Sequence, residues 1–420
     1  MSVRLLHLAD LHLGVDNYGR LDPSTGVHSR LGDFSRTLSW VIDVALDEGV
    51  HLVVLAGDVY KTASPSPTVQ REFARQLKRL RAAGVPVVLI VGNHDSPAAY
   101  GRATSVDVFG ALDLPDTHVV RSPRLLQLAT AGGPVQVAGL PWPSRHYLRT
   151  REEYGDLGQE DLTERIQSIC ESRLAEFARE LEPDVPAVLA AHIAASEAVY
   201  SGSERTATIG RDPALLTSAL AHPAFDYVAL GHIHRHQDLN AGRQPPVVYS
   251  GSVERIDFGE EGDEKGFCLV DLPARRGDGT TYRFVPTPAR RFVTVTVADG
   301  EVGDDDEALT RAVLAALRAA PLQDAVVRIS HPAPEGGQRL DLKAVREALE
   351  GAHCLAGIAP RTPPRTRERR AAVTEHMDLT QALERYLENN PDLAPHAGDL
   401  KSCALELARE LDGQEGTADP

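Results

Sequence analysis

Polar side chains of the kinds that bind metal ions follow five apolar runs of this sequence. The clearest example is segment 85–95, VPVVLIVGNHD, in which a β-branched run ends in GNHD. Such a run without helical periodicity predicts a buried strand. In open α/β sheets, functional residues collect just past the carboxyl ends of the strands. Five such junctions therefore predict one functional site at an edge of a sheet.

The polar groups at these junctions are imidazoles, carboxylates and one amide. They are Asp10, His12, Asp58, Asn93, His94, His192, His232 and His234. Asp10 and His12 are two residues apart, as are His232 and His234, and in an extended backbone this spacing places both side chains on the same side. Because the set contains no cysteine, it favours a hard or borderline divalent ion: Mn²⁺, Mg²⁺, Fe²⁺ or Zn²⁺.

Eight candidates are too many for one tetrahedral ion and enough for two ions that share a carboxylate. Two ions about 3.5–4 Å apart stabilise the attacking and leaving oxygens of a phosphoryl displacement. Asp58 is the predicted bridge, because one carboxylate offers an oxygen to each ion. A single histidine after a strand is more often an ordinary core residue, and we interpret His7 in that way. The ordered set predicts metal-dependent hydrolysis of phosphoesters.

Composition limits the class of protein. A chain of 420 residues predicts two or three domains. No apolar run has the length of a membrane span, and an apolar run that starts at Val3 leaves no room for a signal peptide. The four cysteines are far apart, which predicts reduced thiols in the cytoplasm. A net charge of −16 argues against nucleic acid, unless the acids bind metal or lie away from the binding face.

The order of apolar runs and amphipathic segments predicts an α/β chain. Helices are expected over 36–48, 65–81, 96–112 and 161–181. After about residue 290, strand-like and helical patterns alternate in a small β-α-β-α-β unit. A proline- and arginine-rich linker precedes two more amphipathic segments, over 378–389 and 399–411.

The ordered motifs DxH, GD, GNHD, H and GHxH resemble those of the calcineurin-like metallophosphoesterases, over residues 1 to about 250. Two further segments are similar to the SbcD family of nucleases that repair DNA double-strand breaks. They are SGSERTATIG at 201–210 and YSGSVERIDFGEEGDEKGF at 249–267. With the tail included, the resemblance spans nearly the whole chain.

The resemblance implies an α/β fold: a metallophosphoesterase β-sandwich flanked by helices, a small α+β capping domain and C-terminal helices. The implied domains are a nuclease domain over 1–280, a DNA-binding capping domain over 281–360, a linker over 361–372, an ATPase-binding helical segment over 373–412 and a disordered tail over 413–420.

The implied activity is that of a Mn²⁺-dependent DNA nuclease, both a double-strand exonuclease and a single-strand endonuclease. It would act in DNA repair, recombination and replication with the coiled-coil ATPase SbcC, in the cytoplasm at the nucleoid. One ion would take Asp10, His12, Asp58 and His234. The other would take Asp58, Asn93, His192 and His232.

Three residues beside these ligands have expected roles. His94 would face the scissile phosphate and assist the departing oxygen. Many archaeal and eukaryotic relatives carry a second active-site histidine where this chain has Lys61. A lysine can hold a phosphate, but its reference pKa of about 10.4 makes it a poor acid near neutral pH. Asp95 would either orient His94 or cap a helix that follows it.

The partner surfaces are predicted with alternatives. The family resemblance places a homodimer interface on segments 66–82 and 97–112, with Phe73, Leu77, Val108 and Phe109 as its apolar residues. The two terminal helices would bind the coiled coil of SbcC or pack back on the protein. The arginines of 361–370 would contact DNA phosphates or form a solvated linker.

Two other functions remain open at this point. A small-molecule phosphodiesterase or phosphatase would share the metal motifs, but that function does not explain the capping domain and the terminal helices. A non-catalytic scaffold for DNA ends has no need of eight placed ligands.

Overall fold

The computed structural model describes residues 2–97, 101–112, 114–145, 148, 154, 157–202, 212–298, 302, 305, 307–333, 339–361, 398 and 400–404. The chain divides into two compact units, Met1–Pro360 and Arg361–Pro420. Among the described residues, no helix has the length and hydrophobicity needed to cross a membrane. The loop 203–210, the predicted helix over 378–389, most of the linker and most of the predicted helix over 399–411 lie outside the described residues.

The first sheet has six strands. In chain order they are β1 (Val3–Leu8), β2 (Leu52–Leu55), β3 (Val87–Ile90), β4 (Thr117–Val120), β13 (Gly266–Leu272) and β14 (Thr281–Pro286). In space the order is β14-β13-β1-β2-β3-β4, with β1 to β4 parallel. Strands buried on both faces need nearly continuous apolar runs, which is why the runs before the polar motifs form the centre of this sheet.

The second sheet also has six strands. They are β5 (Arg124–Thr130), β6 (Gly133–Leu140), β7 (Ala187–His192), β10 (Tyr227–Gly231), β11 (Gln237–Asp238) and β12 (Val247–Tyr249). Their order is β11-β12-β10-β7-β6-β5, and β6, β7, β10 and β12 are parallel. Strands β5 and β6 form an antiparallel hairpin that pairs up to Thr130 and Gly133. A small separate pair, β8 (Ala194–Ala195) and β9 (Ala214–Leu215), follows β7.

The two sheets pack face to face around one shared core, to which Val54 and Val88 of the first sheet and Val188 and Ala229 of the second belong. Helices cover both outer faces. They are α1 (Ser29–Asp47), α2 (Pro67–Ala82) and α3 (Asp107–Ala111) on the first sheet, and α4 (Gln159–Glu180) with the short α5 (Thr217–Leu220) on the second. The predicted α/β sandwich flanked by helices is confirmed, and it brings the carboxyl ends of β1, β2, β3, β7 and β10 to one edge.

The segment after this sandwich forms a small parallel β-α-β-α-β unit, which is called the capping unit below. Its elements are β15 (Phe292–Thr296), α6 (Ala308–Ala319), β16 (Val326–His331), α7 (Leu342–Ala348) and β17 (Cys354–Pro360). The unit has its own core, which includes Val313 and Ile329. Strand β14 pairs with β13 in the first sheet, so that sheet extends past the domain boundary predicted at 280/281.

Two predicted helices differ from the structure. The helix expected from residue 36 begins at Ser29, after His28, whose ring accepts the amide of Arg30. The helix expected over 96–112 is, within the described residues, only Asp107–Ala111. The backbone folds back instead, because the amide of Ser105 donates to the Asp95 carbonyl at 3.0 Å.

The side chains predicted for the dimer interface mostly belong to the core. Phe73, Leu77 and Phe109 are buried in the core of the first sheet, and Val108 alone of the four is exposed, at 44%. Prediction of these three as interface residues was wrong, because α2 and α3 direct their apolar faces onto the sheet. The homodimer itself stays a prediction, but Phe73, Leu77 and Phe109 are no longer part of its predicted interface.

Candidate metal centre

The strand ends bring the eight ligand candidates to one edge of the sandwich. Asp10 and His12 follow β1, Asp58 follows β2, Asn93 and His94 follow β3, His192 ends β7, and His232 and His234 follow β10. Apart from His94, they fall into two clusters with Asp58 between them. Asp10, His12 and His234 form the first cluster, and Asn93, His192 and His232 form the second.

The backbone at these positions is unusual. Four of the candidates have left-handed φ angles: Asp10 at 53°, His12 at 44°, Asp58 at 53° and His232 at 97°. Such angles are uncommon for residues other than glycine, and they concentrate at functional sites. Tight turns, and not an extended backbone, therefore bring the two residues of each pair to the same site. The prediction from extended backbone geometry was wrong.

The glycines before three of the ligands are required for close approach. A Cβ on Gly57 would lie 2.0 Å from His192 Nδ1, one on Gly92 would lie 2.1 Å from Asp58 Oδ1, and one on Gly231 would lie 1.9 Å from the Ala56 carbonyl. No side chain fits at such distances. The glycines of GD, GNHD and GHxH thus let the loops after β2, β3 and β10 approach each other.

The first cluster is buried, and its three ligand atoms lie within 4.8 Å of one another. His12 Nε2 and His234 Nε2 are 3.1 Å apart. Burial raises the pKa of Asp10 to about 6, although the charges of His234 and His192 oppose that rise. A buried carboxylate is costly unless a cation or hydrogen bonds compensate its charge. A divalent ion at this point would provide that compensation.

The second cluster converges on the side-chain oxygen of Asn93. Asn93 Oδ1 lies 2.9 Å from His192 Nε2 and 3.2 Å from His232 Nδ1. His192 Nδ1 donates to the Ala56 carbonyl at 2.8 Å, which turns Nε2 towards the cluster. The half-buried Trp142 covers one side, with its ring 4.9 Å from that of His232.

Asp58 lies between the two clusters. Its Oδ2 is 3.7 Å from His12 Nε2 and 3.3 Å from His192 Nε2, and its Oδ1 accepts the His94 amide at 2.8 Å. Burial alone would raise the pKa of Asp58, but the charge and hydrogen bond of His192 hold it well below its usual range. Burial alone would lower the pKa of His192, but Asp58 raises it to about 9. Asp58 is therefore a carboxylate within reach of both clusters.

The donor set fits divalent metal ions. Two further groups have ligand atoms within 4.8 Å of one another, and both include Asp58: one with Asp10 and His192, the other with His12 and His94. Imidazole, carboxylate and amide oxygen suit Mn²⁺, Mg²⁺, Fe²⁺ and Zn²⁺. The arrangement is suited to two ions that share one carboxylate.

His94 is exposed at the rim of the first cluster, with its ring 4.8 Å from the ring of His12. Its Nδ1 donates to the Lys61 carbonyl at 2.9 Å. The Lys61 side chain points elsewhere and lies 3.1 Å from Asp16 Oδ1. The main chain of Lys61, which sequence reasoning did not consider, is therefore the group that orients His94.

Among the described contacts of Asp95, none is with the His94 side chain and none caps a helix. Its buried carboxylate accepts the backbone amides of Val59, Tyr60 and Gly92, each at 3.2 Å. Within the described residues no helix follows it directly. Asp95 instead ties the loop after β2 to the loop after β3, and so fixes the distance between Asp58 and the GNHD segment.

Two carboxylates behind the histidines were missed by sequence reasoning. Glu260 Oε1 is 2.8 Å from His234 Nδ1, and Asp212 Oδ2 is 3.4 Å from His232 Nε2 without hydrogen-bond geometry. A signal was present, because Glu260 lies within the family-like segment 249–267 and Asp212 follows the segment 201–210.

The chain is similar to a known protein family and to several known proteins. The family model described as calcineurin-like phosphoesterase matches residues 3–236. A relative from Bacillus subtilis, named as the SbcD component of the nuclease SbcCD, is 29% identical over 289 residues, which are 67% of this chain and 69% of the relative. The protein of that name from Rhodobacter capsulatus is 31% identical over 300 residues, 68% of this chain and 69% of its own.

A third relative of that name, from Escherichia coli K12, is 29% identical over 276 residues, 64% of each chain. An uncharacterized metallophosphoesterase of Bacillus subtilis, YhaO, is 28% identical over 274 residues, 64% of this chain and 58% of that protein. Because the family model matches more than half of the chain and the Rhodobacter capsulatus relative is 31% identical over about two thirds of both chains, the chain belongs to the calcineurin-like phosphoesterase family and, within it, to the SbcD family.

Proposed function

We propose that this chain is a metal-dependent nuclease that hydrolyses phosphodiester bonds of DNA. The observation that carries the proposal is the pair of clusters around Asp58, in a chain whose relatives are named as nuclease components. A phosphatase would use a similar pair of clusters. The nuclease is favoured because three of the relatives are named as nuclease subunits, and one of these is 31% identical over 68% of this chain.

The ligands divide between two ions, with Mn²⁺ as the proposed metal. Asp10, His12 and His234 would hold one ion, Asn93, His192 and His232 would hold the other, and Asp58 would contribute to both. The 3.1 Å approach of His12 to His234 and the 2.9 Å approach of Asn93 to His192 support this division. When bound, two such ions activate water and neutralise charge on the phosphate.

The protein supplies orientation and a proton. The Lys61 carbonyl engages His94 Nδ1, which leaves Nε2 as the nitrogen that acts on the substrate. In its doubly protonated form, His94 would give the Nε2 proton to the departing oxygen or stabilise the charge on that oxygen. Asp95 keeps the GNHD segment in register with Asp58, because it binds amides of both loops.

The finer features of the function come from the relatives. The name of the relatives describes one component of a two-part nuclease, and we propose that this chain likewise acts with the ATPase SbcC through its C-terminal helices. We propose exonuclease activity on double strands and endonuclease activity on single strands. The DNA-binding role of residues 281–360 and a cytoplasmic place at the nucleoid belong to the same proposal.

The test is a cleavage assay on three substrates: linear duplex DNA, circular single-stranded DNA and a small aryl phosphodiester. Each is incubated with Mn²⁺, with Mg²⁺ and with chelator, in the presence and absence of the ATPase partner. We expect both DNA substrates to be cut in Mn²⁺ and none in chelator. Turnover of the aryl ester with intact DNA would contradict the nuclease and favour a small-molecule phosphodiesterase.

A further inference from the structure

A buried pair of opposite charges lies behind the first metal cluster. Glu260 is 0% exposed and Lys265 2%, and Lys265 Nζ lies 2.9 Å from Glu260 Oε2. Charged side chains of these types are almost never fully buried unless they are paired, and removing them from water is costly even in a pair. Their position next to a ligand of the cluster points to a role in that cluster.

The two carboxylate oxygens of Glu260 have different partners. Oε2 accepts from Lys265 and from the Ile256 amide at 3.0 Å, while Oε1 lies 2.8 Å from His234 Nδ1. A carboxylate only accepts hydrogen bonds, so His234 must donate from Nδ1. Lys265 also donates to the His234 carbonyl at 3.1 Å. The charged pair therefore holds His234 by its ring and by its main chain.

This contact decides which ring nitrogen can bind a metal ion. With the proton on Nδ1, a neutral His234 carries its lone pair on Nε2, the atom that faces His12 at 3.1 Å. Metal-binding histidines commonly donate their other nitrogen to a carboxylate, which fixes the tautomer and raises the basicity of the ligand.

We propose that Glu260 is a positioning residue for His234 and that Lys265 holds Glu260 in place. The inference rests on the two-ion site of the proposed function. It goes beyond that function because it assigns a role to two residues that bind neither metal nor substrate.

The neighbouring residue offers a matched control. Glu261 accepts the Thr294 amide of the capping unit at 2.7 Å, through Oε1. It has the same side chain as Glu260, lies in the same loop and also accepts a backbone hydrogen bond, but its partner is Thr294 on the capping strand. Replacing it disturbs the loop and spares His234.

The experiment compares Glu260→Gln with Glu261→Gln in the full chain by titration calorimetry with Mn²⁺. We expect Glu260→Gln to weaken one of the two binding events by about 10- to 100-fold and to leave the other nearly unchanged. We expect Glu261→Gln to bind both ions as the parent does. Equal losses in both variants, or parental affinity in a folded Glu260→Gln protein, would overturn the proposal.

A measurement on the unaltered protein covers the case in which Glu260→Gln does not fold. Nitrogen chemical shifts of His234 in the metal-free protein report its tautomer, and Lys265→Met assigns the effect of the pair. We expect the proton on Nδ1 of His234 in the parent protein, and a mixed or reversed tautomer in Lys265→Met. A proton on Nε2 of His234 in the parent protein would contradict the role of Glu260.

These readouts are independent of DNA cleavage. If the parent protein binds two Mn²⁺ ions with His234 in the expected tautomer and cuts no DNA, the proposed function fails and the role of Glu260 stands. If it cuts DNA and Glu260→Gln binds metal as the parent does, the function stands and the role of Glu260 fails.

Discussion

The two metal clusters differ in what supports their histidines. In the first, His234 rests on Glu260, which is paired with Lys265 in the core. In the second, the partner of His232 is Asp212, whose side chain is 20% exposed and 3.4 Å away. Both histidines come from the same GHxH motif and both are buried. The carboxylate beside His234 is buried as well, whereas the one beside His232 is partly exposed.

The surroundings of the clusters differ in the same sense. The three residues of the first cluster are all buried, whereas Asn93 in the second is only half-buried and Trp142 stands beside it partly exposed. Electrostatic interactions are weaker and more screened near water. We therefore expect the first cluster to hold its ion more tightly, and the second to be the one that adjusts when substrate binds.

The largest effect is expected from replacing Asp58, which lies between the two clusters. Asp58→Ala should abolish cleavage and lower metal occupancy from two ions towards one or none, since the Asp58 carboxylate lies between the two clusters, near His12 of one and His192 of the other. Metal analysis after gel filtration measures the occupancy. Asp43→Asn, which alters an exposed acid of α1, serves as the control. Two tightly bound ions in Asp58→Ala would refute the bridge.

The next effect concerns the rim of the first cluster. His94→Ala should retain both ions and DNA affinity and lose roughly 10²–10⁴-fold in cleavage rate, the range of a general acid. Single-turnover cleavage, metal analysis and a binding isotherm separate the three quantities. Because His94 also lies near His12 and Asp58, loss of an ion in this variant would identify His94 as a ligand instead.

A smaller effect is expected from replacing Asp212, and it tests whether burial distinguishes the two supporting carboxylates. Asp212→Asn should weaken binding of the second ion by at most about fivefold, corresponding to about 1 kcal/mol, because Asp212 is partly exposed and water screens its charge. Mn²⁺ titration calorimetry measures it, side by side with Glu260→Gln. If Asp212→Asn costs as much as Glu260→Gln, burial is not what distinguishes the two clusters.

The smallest effect on the metal site is expected from deleting the C-terminal segment after Arg370. Ending the chain at Arg370 removes most of the second compact unit, and every proposed ligand lies at or before His234. Cleavage of a small phosphodiester should persist, while binding to the coiled-coil ATPase should be lost. DNA binding by the shortened chain should fall as salt rises. Loss of the small-substrate activity would show that the tail supports the catalytic fold itself.

The sequence by itself determined the strand junctions and the list of ligand candidates. Each candidate follows an apolar run within a few residues, so local order along the chain carries the information. The sandwich followed from the same runs, because strands without a polar face must be covered on both sides.

Only the tertiary structure decided how the candidates divide and what supports them. The amide of His232 donates to the carboxylate of Asp10, 222 residues earlier in the chain, and His12 faces His234 across an equal separation. No local pattern encodes such distances. The left-handed turns at four ligands exist because contacts between the loops hold them. Asp95 is an example, because its carboxylate accepts the amide of Val59, 36 residues earlier in the chain, and also the amide of nearby Gly92.

The same reason explains the wrong predictions. Periodicity along 96–112 favours a helix, but Asp95 draws Ser105 back to the metal edge. Apolar residues of α2 and α3 have the same pattern whether they face a partner or the first sheet, and here the sheet covers Phe73 and Phe109. Glu260 differs from Glu261 by one position and in no local property. Only the folded chain places one against His234 and the other against the capping strand.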